Sequence, residues 1–337
     1  MALVNNLIED LPRVDDAWSR THLAAPLGLP RRDATEGSAG TLELRRPSTA
    51  RRSDRIDPKD LAFEELEIRY EEQDRILWQF MRPEGRPSYT LGLLRDMRQA
   101  LQCIDRMFAE AEEEDREAPI HYVVLASRMP GIFNLGGDLP LFVELIRAGN
   151  GEALRNYAHA CIDVQYPRAV NVGRPYIGIS LVQGDALGGG FEAALADDVL
   201  IAERSAKFGL PEILFNLFPG MGAYSFLSRR LDAVRAERMI LSGRIYEAAE
   251  LHEMGIVDAL AEDGQGEGAV YDYVARNRRS FQARRAICEA RRIARPITRE
   301  ELISITDLWV EAALTLSTQD LRKMVRLAAA QDRRREV

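Results

Sequence analysis

Apolar and polar positions between residues 66 and 203 fall into a few distinct rhythms, and each predicts an element. LEIRYEEQDRILWQFM (66–81) alternates around a polar centre and reads as two strands joined by a turn. After the breaker Gly85–Pro87, the series Leu94, Met97, Leu101, Ile104 and Phe108 keeps a 3,4 spacing, which predicts a helix with one buried face. That helix runs into the acidic stretch Glu110–Glu117, a solvated end. HYVVLAS (His121–Ser127) is a continuous apolar run of the kind central, doubly covered strands show. A loop, GIFNLGGDL, and helix-like sequence from Leu139 to Tyr166 follow.

The theme then returns: Tyr176–Val182 as strand, QGDALGGG as turn, FEAALAD as helix and Val199–Glu203 as strand. Strand and helix alternating at this length imply crossover units and an α/β core. From Ala223 onward the pattern is helical almost to the end, apart from connections such as Gly264–Gly268, with main segments Val270–Arg295, Thr298–Leu316 and Ser317–Arg333. No internal sequence repeat is visible. The first 58 residues mix Pro, Gly, Ser and charge without a sustained apolar period and read as a flexible extension with a short helix near Asn5–Leu11. The expected organisation is an extension over 1–58, an α/β core over 59–262 and a helical region over 263–337.

Composition narrows the partners. The chain of 337 residues is 46% apolar and 29% charged, enough for one large domain or two small ones. No apolar run approaches the roughly 18 to 20 residues of a membrane span. Glu9, Asp10, Asp15 and Asp16 near the start depart from signal-peptide order, so no membrane association and a cytoplasmic location are expected. Cys103, Cys161 and Cys288 form no CxxC pair and the four histidines never stand at i, i+4, which argues against a disulfide framework and a metal site. At a formal charge of −8 the chain is not a general nucleic-acid binder. Only Lys59, Lys207 and Lys323 among 45 basic residues are lysines, so anion recognition would fall to arginine.

Three glycine-bearing segments carry the candidate chemistry: Asn134–Asp138, Leu187–Glu192 and Pro219–Gly222. Consecutive glycines where a strand becomes a helix expose N–H groups that no side chain shields. If Gly189 opens a helix, its N–H adds to the positive helix end, and an N–H from Gly137 completes a two-donor oxyanion hole. The same glycines also serve tight turns and close helix–sheet packing. GDALGGG lacks the G-x-G-x-x-G spacing, and the phosphate-loop Gly-Lys-Ser/Thr ending is absent. Glu192 in GGGFEAAL and Glu212 in FGLPEILF are both hemmed by apolar residues, which should raise their proton affinity into the range useful for acid–base work. Alternatively, Glu192 complements a helix dipole and Glu212 is a partnered structural carboxylate.

FNLGGDL, QGDALGGGFEAALADDVLIAE, FGLPEILFNLFPGMGAYSFL and GRIYEAAELHEMGIVD together resemble the crotonase (enoyl-CoA hydratase/isomerase) superfamily over about residues 65–260. Several of these phrases, with RRIARPITREELISITDLWVEAALTLSTQDLRKMVRLAAAQ, look like the branch that makes diffusible signal factors (DSF), the bacterial cis-2-enoic acid messengers. The resemblance implies a spiral of ββα units with a helical C-terminal region. It implies an oxyanion hole from Gly137 and Gly189, catalytic Glu192 and Glu212, and turns shaped by Gly136 and Gly188. Trp309 matches an aromatic of the acyl pocket, with Met221 beside it.

The implied activity is that of a DSF synthase, dehydrating a 3-hydroxyacyl thioester and hydrolysing it to a free cis-2-unsaturated acid. Enoyl-CoA hydratase and a non-catalytic binding or scaffold protein on the same frame are the alternatives. No resident cofactor is implied; the substrate is carried on acyl carrier protein or coenzyme A, and the assembly is a homotrimer or dimer of trimers. The family's basic residue after the G-x-D turn is missing: Asp138 is followed by apolar residues and the first basic one is Arg147. Which glutamate is acid and which is base stays open. Residues 276–295 carry eight arginines, read as a solvated basic face or, more sharply, a docking strip for an acidic carrier or for phosphates. The apolar positions of 298–333 exceed what a lone exposed helix needs and are expected to be core.

Overall fold

The computed structural model describes residues 55–335; the expected helix near Asn5–Leu11 and nearly all of the expected extension lie outside the described residues. A hairpin opens the fold: β1 (Leu66–Glu71) and β2 (Ile76–Met81) pair antiparallel across a turn in which Arg75 takes φ +53°. Parallel strands β3 (Tyr122–Ser127), β5 (Ile177–Val182), β7 (Val199–Glu203) and β10 (Ala259–Ala261) extend it into a six-stranded sheet, ordered β1-β2-β3-β5-β7-β10. A second sheet, β4-β6-β8-β9, is built from four strands of three residues each: Ile132–Asn134, Asp185–Leu187, Lys207–Gly209 and Ile245–Glu247.

The chain thus visits the large sheet, then the small one, then helix, three times over. Helix α1 (Leu91–Glu113) leads from the hairpin into β3, and α2 (Leu139–Arg147) and α3 (Gly151–Ala169) follow β4. After β6 comes α4 (Gly189–Ala196), and after β8 a 3-10 turn (Pro211–Phe215), α5 (Ala223–Arg230) and α6 (Ala233–Ser242). This is the spiral of ββα units that the resemblance implies. Both faces of the large sheet are covered, which accounts for its unbroken apolar runs. Trp78, Phe80, Tyr122, Val124, Ile179 and Ile201 pack with Val270 and Val274 of α8 (Gly266–Asn277) on one side. Leu77, Val123, Leu125 and Leu200 join the core containing α1 and α3 on the other.

The boundaries depart from the sequence reading at several points. Leu139–Tyr166 is two helices, because Gly149 takes φ +63° and the Asn150 side chain caps the new helix by accepting from Ala153 N at 3.1 Å. Val270–Arg295 is likewise divided: α8 begins at Gly266, and a 3-10 turn over Arg278–Ser280 separates it from α9 (Phe281–Ala294). The region after Ala223, expected to be helical, also contains β9, α7 (Ala248–Glu253) and β10. The chain closes with α10 (Arg299–Leu314) and α11 (Thr318–Arg335).

The arginine-rich stretch is not simply a solvated face. Arg291 and Arg292 both reach the buried carboxylate of Asp198, Arg292 with bonds of 2.7 Å to each oxygen. Among the described residues, no helix is long and apolar enough to cross a membrane.

Candidate active site

Helix α4 sets the geometry. Its N-cap is Gly188, at φ +52° and ψ −128°, a conformation that excludes most side chains, and all eight helical residues are buried. Gly190 lies so close to β4 that an added Cβ would stand 1.9 Å from the Asn134 carbonyl oxygen, so the helix can dock only with glycine there. Gly136, at φ +91°, abuts the start of the same helix: its Cβ would stand 2.7 Å from Gly189 N. The turn is held by Asn134 Oδ1, which accepts from Gly136 N at 2.7 Å, and by Tyr89 N, which donates to Gly136 O at 2.8 Å.

These contacts consume the amides around the two predicted donors and leave the donors themselves free. Among the described residues, neither Gly137 N–H nor Gly189 N–H has a protein acceptor. Both glycines line one pocket, together with Gly188, Glu192, Glu212, Met221 and Trp309. Gly136 lies behind that lining and shapes the turn.

Glu192, on the first turn of α4, is 1% exposed. Its Oε1 accepts from Met221 N at 2.7 Å and Ala223 N at 2.9 Å. Burial pushes its carboxyl well above the usual range, and the two amides pull it back. Glu212 sits in the first turn of the 3-10 segment, with Oε1 only 2.6 Å from where a Cβ on Gly188 would be. Its Oε2 is buried and, among the described residues, has no hydrogen-bond partner. Burial, and then the neighbouring charge of Glu192, raise the Glu212 carboxyl. Two such carboxyls cannot both ionise cheaply, and the pair titrates as a unit. Glu192 accepts from two backbone amides that favour its anion, whereas Glu212, among the described residues, has only its own backbone amide, which biases a proton held by the pair toward Glu212.

The remaining wall is apolar. Phe142 meets Tyr157 and Trp309 edge-on, each at 5.1 Å between centroids, and the Phe142 ring fills the space a Cβ on Gly137 would need. The pocket encloses about 590 Å³ including its open mouth, and among the described residues no basic one lines it. Sequence reasoning missed Phe142, Tyr157, Cys161, Phe215 and Leu327 as lining residues. Tyr157 and Cys161 stand at i and i+4, a spacing that puts them on one face of α3, but nothing local tells that face from ordinary core.

A family profile described as Enoyl-CoA hydratase/isomerase matches residues 74–282, more than half of the chain. The chain belongs to the enoyl-CoA hydratase/isomerase family. This family member is 27% identical over 265 residues to the mitochondrial methylglutaconyl-CoA hydratase of Rattus norvegicus, an alignment covering 76% of this chain and 78% of the rat protein. A probable enoyl-CoA hydratase of Rhizobium meliloti (strain 1021) is 43% identical over 94 residues, 26% of this chain and 37% of that protein. The fold matches the crystal structure of enoyl-CoA hydratase from Bacillus halodurans at a TM-score of 0.63, with 20% identity, over 78% of this chain and all of that one. It also matches Pseudomonas aeruginosa DspI at a TM-score of 0.53, with 22% identity, over 79% of this chain and 96% of that one. The enoyl-CoA hydratase/isomerase fold therefore extends through most of the described residues, and the pocket just described is its candidate active site.

Proposed function

We propose that this enoyl-CoA hydratase/isomerase family member acts as a DSF synthase-like enzyme: it eliminates water from a 3-hydroxyacyl thioester and then hydrolyses the thioester to a cis-2-unsaturated acid. The observation that carries the reading is one pocket lined by two unclaimed amides and by the carboxyl-bearing residues Glu192 and Glu212. The thioester oxygen accepts from Gly137 N–H and Gly189 N–H, which stabilises the enolate-like charge formed as the α-proton leaves. One carboxylate takes that proton while the partner gives its own to the departing hydroxyl, so water leaves and the pair still holds one proton. In the second step the pair activates water against the same carbonyl, releasing the acid and the carrier thiol.

The apolar wall of Phe142, Trp309 and Leu327 suits an uncharged acyl chain. The lack of basic lining residues, with Arg147 exposed at the end of α2, supports a carrier-protein thioester alongside coenzyme A. The second reading is a hydratase that runs the first step backward and leaves the thioester intact; the hydratase names of the relatives favour it.

The test incubates the full chain with 3-hydroxyacyl thioesters on acyl carrier protein and on coenzyme A and identifies products by mass spectrometry. Free 2-enoic acid from wild type, absent with Glu192→Gln and Glu212→Gln, supports the proposal. Water exchange with an intact thioester supports the hydratase reading, and no turnover of either substrate overturns both.

A further inference from the structure

The peptide unit joining Gly220 to Met221 is bonded at both ends. Its N–H donates to Glu192 Oε1 at 2.7 Å, and its carbonyl accepts from Thr306 Oγ1 at 2.7 Å. The C=O and N–H of a trans peptide point in opposite directions, so the hydroxyl, the peptide and the carboxylate stand in series. Thr306 lies on α10, 86 residues along the chain from Gly220, and is 1% exposed. A helical threonine commonly returns its hydroxyl to a carbonyl one turn back; this one reaches across to another loop. Trp309, three residues on, covers the same loop: a Cβ on Gly220 would stand 2.4 Å from the indole Cγ. Helix α10 therefore grips the loop with one hydrogen bond and one ring.

We propose that Thr306 is a positioning residue for Glu192, holding the Gly220–Met221 peptide plane so that its N–H stays aimed at the carboxylate. By donating to the carbonyl, Thr306 also polarises the N–H at the other end of the plane, because hydrogen bonds in a chain strengthen one another. Loss of the hydroxyl leaves the Gly220 carbonyl buried without this donor and frees the peptide to rotate, weakening one of the two bonds that favour the Glu192 anion. Other titratable groups on the pocket wall are few. Glu212 comes from the 3-10 turn, and Tyr157 and Cys161 come from α3, where burial keeps both protonated. Among the described residues, helices α2, α10 and α11 bring Leu139, Phe142, Trp309 and Leu327 to the pocket and add no charge facing Glu192.

The proposal deepens the functional reading and rests on it only for its consequence in turnover; the primary measurement does not need it. In the full chain, the Glu192 carboxyl is followed by carbon-13 NMR through a pH titration, its signal assigned by its loss in Glu192→Gln. Thr306→Val should raise the Glu192 midpoint by on the order of one pH unit, the scale on which a hydrogen bond to a carboxylate acts. Thr306→Ser should restore the wild-type midpoint. The acidic limb of the activity profile should move with it, while KM stays within about twofold, since Trp309 still lines the pocket. Should the valine variant fail to fold, Thr306→Ala and Thr306→Ser give the same comparison. An unmoved Glu192 midpoint in a folded variant lacking the hydroxyl overturns the proposal, as does a serine variant that moves as far as valine. If Glu192→Gln keeps full activity while the midpoint still moves with Thr306, the functional reading fails and the positioning role stands.

Discussion

Gly136 shows how narrowly the site is specified at the level of single residues. Its φ of +91° is strained for any L side chain, and a methyl there would press on Gly189 N, the amide assigned to the thioester oxygen. Gly136→Ala should therefore lower kcat by about 10² to 10³, the usual effect of losing one oxyanion donor, with a smaller change in KM; steady-state kinetics on a 3-hydroxyacyl thioester check this. Glu212 supports a prediction about stability. Its carboxyl is raised in the folded chain, so between the ordinary value of 4.5 and its raised midpoint the native state holds a proton that the unfolded chain has lost. The contribution of this group to stability falls as pH rises through that window and levels off above it. Glu212→Gln removes this dependence, so its advantage over wild type should grow by roughly 1.4 kcal/mol for every pH unit crossed between the two midpoints, as read from urea unfolding at several pH values.

Among the elements, legibility follows length and locality. Strands β3, β5 and β7 are readable in the sequence because burial on both faces makes them continuous apolar runs, and α1 because its 3,4 spacing repeats over many turns. In the sequence β4 looks like loop and β6 like turn, and β8 carries no signal of a strand. Three residues contain no period, and their pairing partners lie dozens of residues away, so only the assembled spiral defines them. The candidate glutamates and glycines are legible because their residue types are unusual in apolar surroundings; Thr306 and Tyr157 are not, since each looks like one more helical residue until the facing loop is known. The break between α2 and α3 has a signal in Gly149-Asn150 that the apolar pattern conceals. Asn150→Ala removes the cap on Ala153 N and should cost about 1 kcal/mol, measurable as a lowered urea midpoint without a change in slope.

Across the whole molecule, one acid ties helix α9 to the large sheet. Asp198, whose side chain is 3% exposed, stands immediately before β7 and accepts from Arg291 and Arg292 of α9, from Asn171 Nδ2 and from Gly178 N. Asp198→Asn leaves two guanidinium groups facing a neutral amide. Because the Arg291 and Arg292 side chains keep 46% and 17% exposure, the loss costs about 1 to 3 kcal/mol, and thermal unfolding should begin a few degrees lower. The same anchoring means that the arginines at 291 and 292 are partly committed to the fold, while Arg276, Arg278, Arg279 and Arg284 are exposed members of the stretch.

Helix α4 has no solvent face at all: every residue from Gly189 to Ala196 is buried. Amides in its last turn have no route to deuterium short of dismantling the surrounding layers. Isotope uptake at Ala193–Ala196 should accordingly follow the global unfolding equilibrium, and any bound acyl thioester that slows uptake there would do so by stabilising the entire molecule.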